Sequence, residues 1–150
     1  MENEVVVEIR SDADLVTARA EARALATRLG FSRTDATLIA TAISEIARNI
    51  VVHVGRGQIA MHLVREDRRR GFVAIATDQG PGIRDIDGAL AEGNPSRGGF
   101  GLGLPGARRL MDRFEVTCGS ERGTTVTMTK WRALDELELL RESRREGRRG

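Results

Sequence analysis

Glu45 and Asn49 stand four residues apart, and Asp78 heads the glycine cluster Asp78-Gln79-Gly80-Pro81-Gly82. By type and spacing these are the residues best suited to chemistry. Side chains four apart stack along one line of a helix. The helical period puts that line at the margin of the apolar stripe, where core meets solvent. A second cluster, Gly98-Gly99-Phe100-Gly101-Leu102-Gly103-Leu104-Pro105-Gly106, runs straight into a helix start. Glycines let the backbone approach a ligand closely, and Pro105 suits a first helical turn, where its missing N–H is no loss. Unpaired N–H groups there, with the positive end of the helix dipole, form an anion site. A nucleotide phosphate is the anion such a loop suits.

With Mg·ATP as ligand each group has a role. Asp78 accepts a hydrogen bond from the adenine amine beneath Gly80 and Gly82. Asn49 offers a hard oxygen to Mg²⁺, an ion that takes few protein groups and keeps waters. Glu45, one turn earlier, orients or deprotonates an attacking hydroxyl as general base. The chain has no G-x-x-x-x-G-K-[ST] phosphate loop, since its only lysine is Lys130. It has no protein-kinase H-R-D or D-F-G arrangement either. A dinucleotide G-x-G-x-x-G forced onto Gly98 to Gly103 lacks a preceding strand and the downstream acid.

Composition narrows the remaining classes. The 150 residues suffice for one domain with a real core. No tyrosine and one tryptophan leave no aromatic platform for single-stranded nucleic acid. Net charge is only +2, so Arg68-Arg69-Arg70 and Arg144-Arg145 read as a solvated turn and tail, not a nucleic-acid footprint. Cys118 is the one cysteine, and its apolar run predicts a buried strand position. His53 and His62 have no zinc-ligand spacing. The start Met1-Glu2-Asn3-Glu4 lacks a signal-peptide pattern and no apolar run approaches membrane-span length, so the expected location is cytoplasmic, with no membrane contact.

The elements that must position these groups follow from periodicity. Val5 to Ile9 is a β-branched first strand. Ser11, with Asp14 three residues on, starts a helix carrying Leu15, Ala18, Ala22, Leu25, Ala26 and Leu29 and ended by Gly30. Its outer face, with Arg19, Glu21, Arg23 and Arg28, reads as solvated charge. A second helix runs from Thr34-Asp35 to about His53, with Leu38, Ile39, Ala42, Ile43, Ile46, Ala47, Ile50 and Val51 as its stripe. Gly55 and Gly57 mark a turn. Strands over Ile59–Val64 and Phe72–Thr77, joined by a charged turn from Arg65 to Gly71, form a hairpin that delivers Asp78. A short helix over Ile86–Glu92, a lid over Gly93–Gly103 and a helix over Leu104–Asp112 come next. Strands over Phe114–Cys118 and Thr124–Trp131 follow, joined by a turn over Gly119–Gly123. Leu134, Leu137 and Leu140 predict a last short helix before a fraying tail.

The whole constellation resembles the GHKL ATP-binding superfamily of gyrase, chaperone, histidine kinase and mismatch-repair ATPases. Glu45-Ile46-Ala47-Arg48-Asn49 matches its N-box, Asp78 to Gly82 its first glycine box, Gly101-Leu102-Gly103-Leu104 its second and Gly123-Thr124 its last. The likeness spans Val5 to Trp131. Within the superfamily the chain is most similar to small bacterial serine/threonine kinases of partner-switching modules, of the RsbT-like switch-kinase type. Ser44 to Ile50 and Gly103 to Asp112 carry that resemblance. It implies an α+β two-layer sandwich with helices on one face of a mixed, mostly antiparallel sheet. It further implies a kinase domain over 1–132; the charged C-terminal extension over 133–150, read from its composition as a short helix and then a disordered tail, exceeds what the resemblance covers.

The resemblance implies phosphoryl transfer from ATP, with Mg²⁺, to a serine or threonine of a STAS-domain antagonist protein. Glu45 would be the base and Asn49 the metal ligand. Asp78, Gly80, Gly82, Ile83, Gly98, Gly99, Gly101, Leu102, Gly103, Leu104 and Thr124 would join Asn49 in shaping the nucleotide pocket. Relatives with this fold also sequester a sigma factor as anti-sigma factors, or bind and activate a PP2C-type phosphatase. Sequestration is therefore the competing expectation.

Overall fold

The structure is a computed structural model that describes residues 4–79, 103–118 and 123–149. Ser11 opens the first helix as predicted: the Asp14 carboxylate accepts from the Arg10 N–H at 2.8 Å and the Ser11 N–H at 3.1 Å. The chain thus passes from β1 (Val5–Ile9) into α1 (Asp12–Arg28) with the two N–H groups just ahead of the helix satisfied. α2 (Arg33–His53) is capped by Ser32, whose hydroxyl accepts from the Asp35 N–H at 3.0 Å. It ends where the Gly55 N–H bonds the Ile50 carbonyl at 2.8 Å, with Gly55 at φ +98°. That left-handed turn is one a glycine enters without steric cost.

Strands β2 (Gly57–Glu66), β3 (Arg69–Asp78), β4 (Arg113–Cys118) and β5 (Thr124–Ala133) join β1 in one five-stranded sheet of order β1-β2-β3-β5-β4. Every described ladder is antiparallel. One face of the sheet supplies Ile59, Met61, Phe72, Ala74, Val126 and Met128 to the core, against Leu25, Ile39, Ile43 and Ile46 from α1 and α2. Each of these side chains except Ala74 contributes about 1.5–3 kcal/mol by leaving water. A short helix, α3 (Gly103–Leu110), packs on α2, and its end is held by Lys130 Nζ donating to the Leu110 carbonyl at 3.0 Å. A final helix, α4, spans Glu136–Arg149.

Four readings need correction. The charged turn expected over Arg65–Gly71 is only Asp67-Arg68, because the ladder continues to Glu66↔Arg69. Asp67 takes φ +50°, a region aspartate enters more readily than most residues. Arg69 and Arg70 are therefore strand residues. Arg69 lies 3.8 Å over the Trp131 ring, and Arg70 pairs with Glu142 of α4. Cys118 is exposed, because β4 is an edge strand and Cys118 is its last residue. The helix expected over Leu104–Asp112 stops at Leu110, and the Asp112 N–H bonds the Thr129 carbonyl at 2.9 Å instead.

α4 is longer than the leucine spacing predicts. Leu134 is buried ahead of it, while Leu137 and Leu140 are exposed. The helix expected over Ile86–Glu92, the lid up to Leu102 and most of the Gly119–Gly123 turn lie outside the described residues.

Candidate functional site

Side chains alternate along a strand, so Phe72, Ala74, Ala76 and Asp78 share one face of β3. The first three are buried core residues. The next step of the same period replaces an apolar side chain with a carboxylate. Its neighbours change in the same row: Asp78 pairs with Gly57 on β2 and with Thr124 on β5. One row inward the corresponding residues are Ile59, Ala76 and Val126, all buried apolar. The core ends, at one end of the sheet, in a row made of an absent side chain, a carboxylate and a hydroxyl. Asp78 is half-buried and Thr124 is buried.

The backbone crowds this row. A Cβ on Gly57 would lie 2.5 Å from the Thr77 carbonyl oxygen, 3.0 Å from Ile50 Cγ2 and 3.3 Å from Asp78 Cβ. A Cβ on Gly123 would lie 2.9 Å from the Asp78 carbonyl oxygen, and Gly123 also takes φ +96°. Gly57 at the start of β2 and Gly123 just before β5 thus hem the Asp78 backbone. Sequence reading places Gly57 in a turn and misses this. The signal was present, since Gly57 continues the core-facing row Met61, Ile59, where a glycine marks a close backbone approach.

α2 brings the other groups to this end. Ile50 packs over Gly57, which brings the C-terminal part of α2, with Asn49, to this end of the sheet. Asn49 is half-buried, yet its Nδ2 is fully buried and has no hydrogen-bond partner among the described residues. A buried amide donor left unpaired costs about 1–3 kcal/mol. With no partner to fix which way the carboxamide points, its oxygen can equally face a cation. Glu45, one turn earlier, is half-buried at the margin of the apolar stripe. Gly103 and Leu104 form the first turn of α3, which packs on α2.

The observed row fits a nucleotide in its chemistry: an acid to read an amine and, on α2, an amide uncommitted among the described residues for a hard cation. Gly80, Gly82, Ile83, Gly98, Gly99, Gly101 and Leu102 lie outside the described residues. No described helix is long and apolar enough to cross a membrane.

Residues 10–130 match the family described as the histidine kinase-like ATPase domain. The chain is 43% identical over 131 residues to the serine/threonine-protein kinase RsbT of Bacillus subtilis, covering 87% of this chain and 98% of that one. It is 30% identical over 120 residues to the anti-sigma F factor of Oceanobacillus iheyensis, covering 75% and 81%. Among solved structures, the RsbU and RsbW domains of a Mycobacterium tuberculosis protein superpose with TM-score 0.59 at 22% identity. That match covers 87% of this chain and 34% of the other, and it shows the fold.

Proposed function

The chain belongs to the histidine kinase-like ATPase domain family, and from that premise we propose that it is an ATP-dependent serine/threonine kinase of a partner-switching module. Its substrate in this reading is a STAS-domain antagonist protein met in the cytoplasm. The observation that carries the nucleotide half is the row Gly57–Asp78–Thr124, with the Asn49 amide, unpartnered among the described residues, at the same end of the sheet. The kinase half rests on the 43% identity to RsbT over nearly the whole of that protein.

Asp78 holds the adenine amine, and the close backbone approach at Gly57 and Gly123 fixes the peptide that carries it. Asn49 would hold Mg²⁺, which when bound neutralises charge on the phosphates. Glu45 takes the proton from the partner's hydroxyl as that oxygen bonds to the transferred phosphorus and the bond to the departing ADP breaks. Positioning and charge neutralisation supply most of the acceleration in such a transfer. The N-terminal turn of α3, with Gly103 and Leu104, is suited to holding phosphate oxygens.

The direct test is intact-mass measurement of STAS-domain proteins encoded beside this gene after incubation with the chain and Mg·ATP. One added phosphate per partner is expected with the wild-type chain, and none with Glu45→Gln. Nucleotide bound normally with no transfer to any of them would favour sequestration instead. The similarity to an anti-sigma F factor over three quarters of the chain is what keeps that second reading in view.

A further inference from the structure

We infer that Gly57 is a positioning residue of the nucleotide site, whose missing side chain sets where Asp78 sits relative to the Asn49 end of α2. This rests on the reading of Asp78 and Asn49 given above. The two glycines of the α2–β2 connection are required for different reasons. Gly55 has φ +98°, and a Cβ there would meet nothing within 4 Å, so conformation alone demands it. Gly57 is not among the positive-φ residues, so its backbone would accept alanine. Space forbids it. The would-be Cβ lies 2.5 Å from the Thr77 carbonyl oxygen on one side and 3.0 Å from Ile50 Cγ2 on the other.

Those two obstacles belong to the two halves of the site. The Thr77 carbonyl is part of the peptide leading into Asp78, and it is backbone that no rotamer change can swing aside. Ile50 is a buried residue of α2 and the immediate neighbour of Asn49. An added methyl must therefore push the Thr77–Asp78 peptide out of register, lift the end of α2, or both. Each displacement changes the distance between the base-reading acid and the cation-facing amide. Close packing transmits such a change because the core has no slack to absorb it. The glycine fixes the separation of two groups it does not itself resemble chemically.

The experiment titrates the full chain with Mg·ATP and Mg·GTP in four forms: wild type, Asp78→Asn, Gly57→Ala and Gly71→Ala. Gly71 is the control for a methyl inserted in the same sheet. A Cβ there would lie 2.8 Å from Val64 Cγ2 and 2.9 Å from the Trp131 ring, both side chains, seven residues along β3 from Asp78. Wild type is expected to prefer ATP, and Asp78→Asn to lose that preference. Gly57→Ala is expected to lower ATP affinity by about tenfold to a hundredfold, the scale of a misplacement near 1 Å, and to bring the ATP:GTP ratio toward one. Gly71→Ala is expected to lower Tm but keep the ratio. Should Gly57→Ala not fold, the pair Gly57→Ala with Ile50→Leu removes the γ-methyl obstacle at little cost in volume. The Thr77 carbonyl obstacle remains, so that pair is still expected to lose the ATP preference.

A Gly57→Ala chain, alone or with Ile50→Leu, that keeps the wild-type ratio while Asp78→Asn loses it would overturn the inference and leave the Asp78 reading intact. Loss of preference in Gly71→Ala as well would reduce the effect to general sheet damage and overturn it too. A wild-type chain with no ATP preference would overturn the Asp78 reading and the inference together.

Discussion

At the Arg69 end of β3 the side chains are long, charged and joined in ion pairs, although Arg70 Nε is buried without a partner among the described residues; at the Asp78 end they are short or missing, and the buried Asn49 Nδ2 lacks a partner among the described residues too. Arg132 donates to the Leu29 carbonyl at 3.1 Å and to both oxygens of Glu138 at 2.8 and 2.6 Å. Arg70 pairs with Glu142, and the Trp131 N–H bonds Asp112 Oδ2 at 2.7 Å. These contacts tie α1, α4 and the loop before β4 to one edge of the fold. The opposite end has Gly57, Asp78 and Thr124 on the sheet, Gly123 just before β5, and a buried Asn49 Nδ2 with no partner among the described residues. A buried amide donor without a partner costs stability. The contrast teaches that one end of the sheet is tied by charged pairs, while the other carries the acid, amide and hydroxyl groups suited to a ligand.

The largest expected effect breaks the comparison at its functional end. Glu45→Gln should lower phosphotransfer by about a hundredfold to ten-thousandfold, the range of a lost general base, with nucleotide affinity retained. Unchanged transfer in a stopped assay would remove Glu45 from the mechanism. Asp78→Asn comes next: ATP affinity should fall by about tenfold to a hundredfold, to the level of GTP, in a calorimetric titration, since a neutral carboxamide offers the adenine amine one weaker acceptor in place of a carboxylate. Full affinity in that variant would cancel the assignment.

Asn49→Leu sharpens the contrast directly. Replacing the unpaired amide with an apolar group should raise stability by about 1 kcal/mol while Mg-dependent nucleotide binding is lost. A lower Tm would mean the amide is satisfied in solution.

At the paired end, the Arg132 guanidinium donating to the Glu138 carboxylate holds its pKa down at about 2, below the usual 4.5. The same pair raises the Arg132 pKa. A carboxylate depressed in the folded state stabilises above its unfolded pKa and loses that contribution as pH falls through the folded value. Glu138→Gln should therefore lower stability by about 1–2 kcal/mol at neutral pH, a half-buried charged pair lying between exposed and buried cases. The difference from wild type should shrink as pH drops from 4.5 towards 2, and a Tm–pH series reads it. A pH-independent difference would assign the contact to packing. The smallest effect is expected at the rim: Cys118→Ser, on an exposed edge-strand residue, should shift stability by less than about 0.5 kcal/mol.

The elements were legible where one period ran unbroken. The α2 stripe from Ile39 to Ile50 repeats at three and four residues, and it forms the helix that carries Glu45 and Asn49. The strand pattern Phe72, Ala74, Ala76 likewise delivers Asp78. Reading failed where composition was ambiguous. Arginines suit a solvated turn as well as a strand end, and only Glu142 and Trp131, distant in sequence, put Arg69 and Arg70 into β3. Cys118 looked buried because its apolar run is that of any strand, and nothing local says that β4 lies at an edge.

Sequence alone was enough for the described strands and helices around the site, the start of α1 at Ser11 and the residue types capable of chemistry, because these depend on neighbours within a few positions. Tertiary structure decided which of those types meet. Register across three strands placed Gly57, Asp78 and Thr124 in one row, and packing of Ile50 onto Gly57 brought the part of α2 that carries Asn49 to the same end of the sheet. Such pairings depend on where separate elements are hydrogen-bonded and how closely their backbones approach, and a period read along one strand carries no information about the register of the next.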